Sequence, residues 1–448
     1  MENDPVRLEI KRKRFKNLHG EDLNDEPMTL VESVFCLRFV LAKFGVGAIS
    51  EIGHDLKEFN AKNVLIVTDS FLRKQTKVVD QVLEYIDQAN IEADVWDGVE
   101  PEPSEESIIE GIKYASKRRY DVFIGLGGGS SIDSAKLIDL YVTHPTDDFR
   151  DYFAPPIGKG KLIPGPIRPL IAVPTTAGTG SEVTGSAVVT FKKNEEIVKF
   201  GLSHKYLVPS LAILDPLLTV DLPPTVTAAS GMDALTHAIE AYTAKPYDTR
   251  ERPEDPTKRP LYQGSNTITD TLSEKAIHII GKYLVRAYAN GRDLEARANM
   301  LLAAHIAGMA FANAGCHISH ALSYSIAGVA YEKRKLKVPH GVAVALTEPA
   351  TLKVICPYTF NKCMRIAELL KDFIPESTIR PESAAVAVVN LMKVLNLPNG
   401  LSELGISEED VDRIAEETLI QKRLLAQSPI TVTKELLVRI VKESLKYW

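Results

Sequence analysis

The sequence predicts an α/β chain in two parts, an open parallel-sheet domain followed by an all-helical domain. Three observations predict it. From about residue 44, short apolar runs closed by polar turns alternate with helical segments. The pattern breaks at Leu222-Pro223-Pro224. Beyond the break, apolar residues recur at spacings of three and four, the period of a helix face, and few alternating β-branched runs remain.

Taken in order, Asn63–Asp69 reads as a buried strand, Val78–Ala89 as a helix and Ala93–Asp97 as a second strand. Ser107–Lys117 is helical, Asp121–Leu126 a strand, Ser131–Tyr141 a helix and Pro169–Pro174 a strand. Strands separated by helices of this length pair in parallel through right-handed crossovers. In the second half, helices are expected at Leu294–Ala314, Ala384–Leu395 and Lys434–Leu445. Ser407-Glu-Glu-Asp410 is a capping box, and Pro398-Asn-Gly400 stops the helix before it. Lys245–Gln263, with four prolines, reads as a long ordered loop. These readings divide the chain into an arm at 1–37, an α/β domain at 38–222 and a helical domain at 223–448.

Composition bounds the function. With 25% charged and 45% apolar residues in 448, the chain is an ordinary globular protein, not a disordered tail, a collagen-like fibre or a disulfide-stapled miniprotein. The balance of 53 basic and 59 acidic residues gives −6, so no global basic field recruits nucleic acid or an anionic membrane. The basic cluster Lys11–Lys16 is followed by acids from Glu21 to Glu26 and reads as a solvated arm. Cys36, Cys316, Cys356 and Cys363 contain no Cys-x-x-Cys pair, which argues against a zinc ribbon or redox motif. The longest apolar stretch, Ser33–Ile49, is broken by Arg38 and Lys43 and cannot span a bilayer. The acidic Met1-Glu-Asn-Asp-Pro5 terminus has no apolar h-region, so the expected location is the cytoplasm.

Gly127-Gly128-Gly129-Ser130-Ser131 follows a buried strand and opens a helix, where backbone N–H groups attract phosphate. It is neither a G-x-G-x-x-G fingerprint nor a P-loop, and a tight turn without ligand is the alternative. A second polar loop, Pro174-Thr175-Thr176-Ala-Gly-Thr179-Gly-Ser181, follows the next strand at the sheet edge where open α/β folds bind ligands. Two such loops can line one dinucleotide. Asp69, ending its strand, is either a turn cap or a carboxylate for the adenosine ribose; the second role repels a 2′-phosphate and favours NAD over NADP.

Asp233 and His237 stand at i, i+4 in Gly231–Glu240 and share a helix face. His317 and His320 precede an apolar segment, and His340 lies in Pro339-His-Gly341. One carboxylate with imidazoles suits a divalent transition metal with a position open to substrate, and the scarcity of cysteine favours a harder ion such as Fe²⁺.

Together, Gly127-Gly-Gly-Ser-Ser-Ile-Asp133, Pro174–Glu182, Gly231-Met-Asp-Ala-Leu-Thr-His237 and Pro339-His-Gly341 resemble the iron-containing (group III) alcohol dehydrogenase family. The resemblance runs from about residue 38 to the end. It implies a dinucleotide-binding α/β domain and a helical domain in a dehydroquinate synthase-like architecture, with a cleft between them. It implies Asp233, His237, His320 and His340 as ligands of Fe²⁺, with Zn²⁺ as the alternative. It implies Gly127, Gly128, Gly129, Ser130, Asp133, Thr175, Thr176 and Thr179 at the cofactor, Lys199 at its ribose, and Asp69 as the acid of NAD preference. A homodimer or higher homo-oligomer is expected.

More finely, Asp151–Lys161, Arg259–Asn266, Asn313-Ala-Gly315 and Ser323-Tyr324 resemble the hydroxyacid-oxoacid transhydrogenase branch. That branch passes a hydride from 4-hydroxybutyrate to NAD and on to 2-oxoglutarate. Most family members carry a histidine four residues after the third ligand, where this chain has Tyr324. Tyr324 and His317 are therefore the candidate proton carriers, sharing a helix face with His320. The basic run Lys333-Arg334-Lys335-Leu-Lys337 just before His340 offers Arg334 as a grip for a substrate carboxylate, a solvated loop being the alternative. The other readings are a general primary-alcohol or diol dehydrogenase, a polyol-phosphate dehydrogenase, a dehydroquinate synthase-like lyase and a non-catalytic binding protein.

Overall fold

The computed structural model describes residues 32–448 apart from 194, 195 and 376. The cluster Lys11–Lys16, the acids after it and the terminus at Met1 lie outside the described residues.

Strands β1 (Leu41–Phe44), β2 (Asn63–Asp69), β3 (Glu92–Val99), β4 (Val122–Gly127), β5 (Leu170–Pro174) and β8 (Leu211–Leu214) form one sheet in the order β1-β8-β5-β4-β2-β3. Every pairing in it is parallel, as the alternation of strands and helices predicts. Its helices are α1 (Ile52–Glu58), α2 (Ser70–Gln75), α3 (Val78–Gln88), α4 (Glu105–Ala115) and α5 (Gly129–Thr143). β4 is buried at every position. A parallel strand covered on both faces leaves no place for polar residues, hence its continuous apolar run. α3 buries only Val79, Val82 and Ile86, the stripe a surface helix turns to the sheet.

Strands β6 (Ser186–Lys193) and β7 (Glu196–Ser203) form a separate antiparallel hairpin. Ala187, Val189 and Phe191 alternate into the core along β6. Lys199 lies on β7.

After Pro223 the chain is helical: α6 (Pro224–Thr243), α7 (Thr267–Ala289), α8 (Leu294–Ala314), α9 (Ile318–Arg334), α10 (His340–Ala345), α11 (Glu348–Ile355), α12 (Phe360–Leu369), α13 (Ser383–Val394), α14 (Val411–Thr418), α15 (Lys422–Leu425) and α16 (Lys434–Glu443). α6 is the centre, packed on α7, α8 and α10. The Ser407–Asp410 capping box is present with both of its hydrogen bonds. Among the described residues, no single helix is long and apolar enough to cross a membrane. Cys356 and Cys363 form a disulfide between the end of α11 and α12, a pairing the cysteine spacing leaves open; Cys36 and Cys316 are free.

The segment before β1 straps the two parts together. Arg259 holds Glu32 through bonds of 2.7 and 3.2 Å, Cys36 and Gln263 exchange backbone and amide hydrogen bonds, and Arg38 does the same with Asn313. The ordered loop Lys245–Gln263 therefore has the strap as its partner.

Candidate functional site

α6 is buried along nearly its whole length, so a polar side chain on it needs a partner or a ligand. Asp233, His237 and Glu240 fall at i, i+4 and i+7 on one face. His320 comes from the first turn of α9, and His340 opens α10. At Gly341 an added Cβ would lie 2.1 Å from the Ala229 carbonyl oxygen and 2.9 Å from Asp233 Cβ. Glycine there lets α10 press against α6 and brings His340 to the site.

His320 Nε2 and His340 Nε2 lie 3.7 and 3.8 Å from Asp233 Oδ1, and His237 Nδ1 lies 3.9 Å from Asp233 Oδ2. These separations are a few tenths of an ångström wider than the roughly 3.4 Å edge that metal–ligand bonds of about 2.1 Å impose. Asp233 Oδ1, His237 Nδ1 and His320 Nε2 are buried with no hydrogen-bond partner among the described residues. Asp233, His320 and His340 bring donor atoms together, and His237 joins His320 and Cys316 in a second, overlapping group; these buried, unpartnered atoms are of the kind a divalent iron or zinc ion satisfies. Burial pushes His237 down to about 4 and His340 down to about 3, which keeps both imidazoles neutral with lone pairs to offer. Burial alone would raise Asp233, but His237 and His340, protonated in acid where Asp233 titrates, hold it well below the usual carboxylate range. His237 is stacked between Phe311 at 4.1 Å and His320 at 4.3 Å, which fixes its ring.

Behind the donors sits Glu240, fully buried. It accepts from His320 Nδ1 at 2.6 Å, from His317 N at 2.9 Å and from Ser319 N at 2.6 Å. A carboxylate on Nδ1 fixes the tautomer that leaves Nε2 free for a metal. His317 sits with this support, away from the cleft. It caps α9 instead of lying in it, is wholly buried between Glu240 and Thr243, and lines no part of the cleft. Of the helix face expected for 317, 320 and 324, residues 320 and 324 lie in α9 at i, i+4, while His317 stands just before its start at Ile318.

The donors open onto a cleft. Gly129, Ser130 and Asp133, from the first turns of α5, line it together with Thr179 and Lys199. Phosphate is favoured at such a helix start. Thr175 N donates to Gly127 O at 2.9 Å, tying the two loops together. Gly127, Gly128, Thr175 and Thr176 build these turns without lining the cleft. Asp133 lines it, but its oxygens accept from Ser181, Lys136 and Val188, so it shapes the wall. Lys199 lies 2.6 Å from Glu102, and burial lowers its ammonium below the usual lysine range. Asp69 caps α2, its Oδ1 accepting from Phe71 N and Leu72 N at 2.9 Å. Tyr324 lines the cleft with its ring 6.0 Å from His340, and burial raises its phenol.

Arg334 is corrected as a substrate residue. It is exposed at the last turn of α9, packs over Gly405 and is absent from the cleft wall. Sequence reasoning missed Glu102, Tyr262, Cys316 and Arg423, all on that wall. Cys316 carried a signal in its spacing of four from His320, and Tyr262 lies within the Arg259–Asn266 segment of the finer resemblance; burial pushes the Cys316 thiol up.

Two family models match, "Iron-containing alcohol dehydrogenase" over 42–216 and "Fe-containing alcohol dehydrogenase family, C-terminal" over 261–445. A Bos taurus protein named hydroxyacid-oxoacid transhydrogenase, mitochondrial, is 39% identical over 417 residues, which is 91% of this chain and 89% of that protein. Among solved structures, a 1,3-propanediol oxidoreductase superposes with a TM-score of 0.79 at 32% identity, over 92% of this chain and all (100%) of that one. A sulfoacetaldehyde reductase from Bifidobacterium kashiwanohense, in complex with NAD+, superposes at 0.77 with 26% identity, over 92% and 99%. The mitochondrial name of the Bos taurus relative overturns the cytoplasmic expectation. A missing h-region bears on secretion alone and says nothing of mitochondrial import.

Proposed function

This chain belongs to the iron-containing alcohol dehydrogenase family, and on that premise we propose that it is an NAD-dependent hydroxyacid-oxoacid transhydrogenase. The observation that carries the reading is one cleft lined both by Asp233, His237, His320 and His340 and by Gly129, Ser130 and Thr179. Its substrates are a hydroxy acid such as 4-hydroxybutyrate and an oxo acid such as 2-oxoglutarate. The hydroxy acid gives up a hydride and a proton and becomes an oxo product; the oxo acid takes up both and becomes a hydroxy acid.

When bound, a ferrous ion supplies Lewis acidity toward the substrate oxygen and NAD supplies the hydride acceptor. Asp233, His237, His320 and His340 would hold the ion, with zinc the alternative suited to the same donors. Glu240 orients His320. The start of α5 and the Thr179 loop would hold the nucleotide, with Lys199 on its ribose. Asp69, at the end of β2 beside β4, disfavours the 2′-phosphate of NADP. Burial keeps Tyr324 a neutral phenol beside His340; it would pass the substrate's proton by releasing its own hydroxyl proton as it takes up the substrate's, and the reverse exchange would protonate the oxygen of the oxo acid. Phe311 and Leu424 close the cleft wall with apolar surface, which excludes water from the reacting atoms.

The relatives' mitochondrial names point this chain to the mitochondrion. A homodimer is also proposed: β1 is an edge strand, and Phe39, Leu41, Phe44 and Val46 are exposed along it. Sedimentation would test it, and a monomer at all concentrations would refute it.

The function is tested with 4-hydroxybutyrate deuterated at C4, unlabelled 2-oxoglutarate and catalytic NAD. Deuterium should arrive at C2 of 2-hydroxyglutarate. NADH accumulation from simple alcohols, with no label transfer, would instead support the general alcohol or diol dehydrogenase that the 1,3-propanediol oxidoreductase likeness favours.

A further inference from the structure

Among the described residues, Lys199 and Arg423 bring their cationic side chains to the cleft, and they differ in their partners. Lys199 is paired with Glu102 at 2.6 Å. Arg423 has no carboxylate within ion-pair distance among the described residues, and its Nη1 is closed to solvent with no hydrogen bond. The guanidinium carbon lies 5.1 Å from the centre of the Tyr262 ring. On another side Gly201 leaves room for it; an added Cβ there would stand 3.1 Å from Arg423 Nη2. The flanks are pinned, with Gln421 Nε2 donating to Lys199 O at 3.3 Å and Lys245 N donating to Gln427 O at 2.8 Å.

A guanidinium held rigidly, stripped of water on one nitrogen and lacking a protein anion is costly unless a ligand supplies the negative charge. The planar fork suits a carboxylate, which it can bind through two parallel N–H···O bonds. The metal donors and Tyr324 line the same cleft, so an anion on Arg423 belongs to the molecule whose oxygen reaches them. We propose that Arg423 binds the substrate's carboxylate and thereby sets the preference for hydroxy acids over uncharged alcohols. The inference rests on the transhydrogenase reading of this cleft.

Arg423→Met and Arg423→Lys, in the full-length enzyme loaded with Fe²⁺, test it through the ratio of KM for 4-hydroxybutyrate to KM for butane-1,4-diol. Loss of a desolvated charge pair of this kind should raise the ratio about 30-fold or more in Arg423→Met. Arg423→Lys should recover part of the change. A second readout is independent of turnover: 2-oxoglutarate should raise the unfolding temperature of the unsubstituted protein and of Arg423→Lys, but not of Arg423→Met. Equal KM losses on both substrates, a rise confined to KM for NAD, or an unchanged ratio would overturn the proposal. Absence of hydroxy-acid turnover in the unsubstituted enzyme, with the 2-oxoglutarate shift present and dependent on Arg423, would sink the transhydrogenase reading and leave Arg423 as a carboxylate site. Absence of both overturns both.

Discussion

Glu240 accepts the Nδ1 proton of His320 at 2.6 Å, so one buried carboxylate sets which nitrogen His320 turns toward Asp233. Support of this kind is commonly worth 10–100-fold in metal affinity, and Glu240→Gln is expected to weaken Fe²⁺ or Zn²⁺ binding by about that factor. Chelator competition on the purified protein measures it. Undiminished affinity would show that His320 is oriented by its packing alone.

Tyr324 makes the second prediction. Removing the hydroxyl as Tyr324→Phe keeps the ring that fills the wall while deleting the proton carrier. kcat should fall by about 10²-fold or more, the usual contribution of a positioned acid or base. Metal content and KM for NAD, measured alongside, separate this from collapse of the site. Full activity would assign the proton to another route.

Asp69 has two separable jobs. Asp69→Ser keeps an acceptor for the α2 cap but removes the charge, so selectivity for NAD over NADP should drop about tenfold or more. Asp69→Ala should show the same selectivity and also lose about 1 kcal/mol of stability with the cap. Selectivity unchanged in both variants would leave Asp69 a cap only.

Asp139 gives a pH dependence remote from the chemistry. It is sealed on α5, accepts from Thr143 Oγ1 at 2.9 Å, and has Oδ2 without a partner. Burial pushes it up to about 7. The fold therefore holds its proton more tightly than the unfolded chain does. Its contribution is full below about pH 4 and is lost as pH rises through about 7. Asp139→Asn, which never ionises, should gain roughly 2 kcal/mol on the unsubstituted protein between pH 5 and pH 8 in denaturant unfolding. A flat difference across that range would remove Asp139 as the cause.

The sheet was legible because buried parallel strands are continuous apolar runs, as β2 and β4 show. The donors were legible because Asp233 and His237 are metal-ligating residue types at i, i+4 on a mostly buried helix. Arg334 misled because sequence proximity to His340 was taken for proximity in space. Fourteen residues of helix separate it from His320, roughly 21 Å at 1.5 Å per residue. Arg423 escaped notice for the converse reason: Gln421-Lys-Arg-Leu-Leu425 looks like any solvated turn until the chain lays it across Tyr262 and Gly201. Glu240 carried no sequence signal of its own, since a third polar residue on α6 gains meaning only once α9 is docked above it.

The strap and β1 also constrain the order of assembly. Among the described residues, β1 pairs with β8 alone, some 170 residues later in the chain, and the bonds of Arg38 wait for Asn313. Until those partners exist, the segment from Glu32 to Phe44 has nothing to dock on, while β2 to β5 can already pair among themselves. Closing so long a loop is slow and comes late. The segment from Glu32 to Phe44 is therefore the last part of the sheet to be fastened.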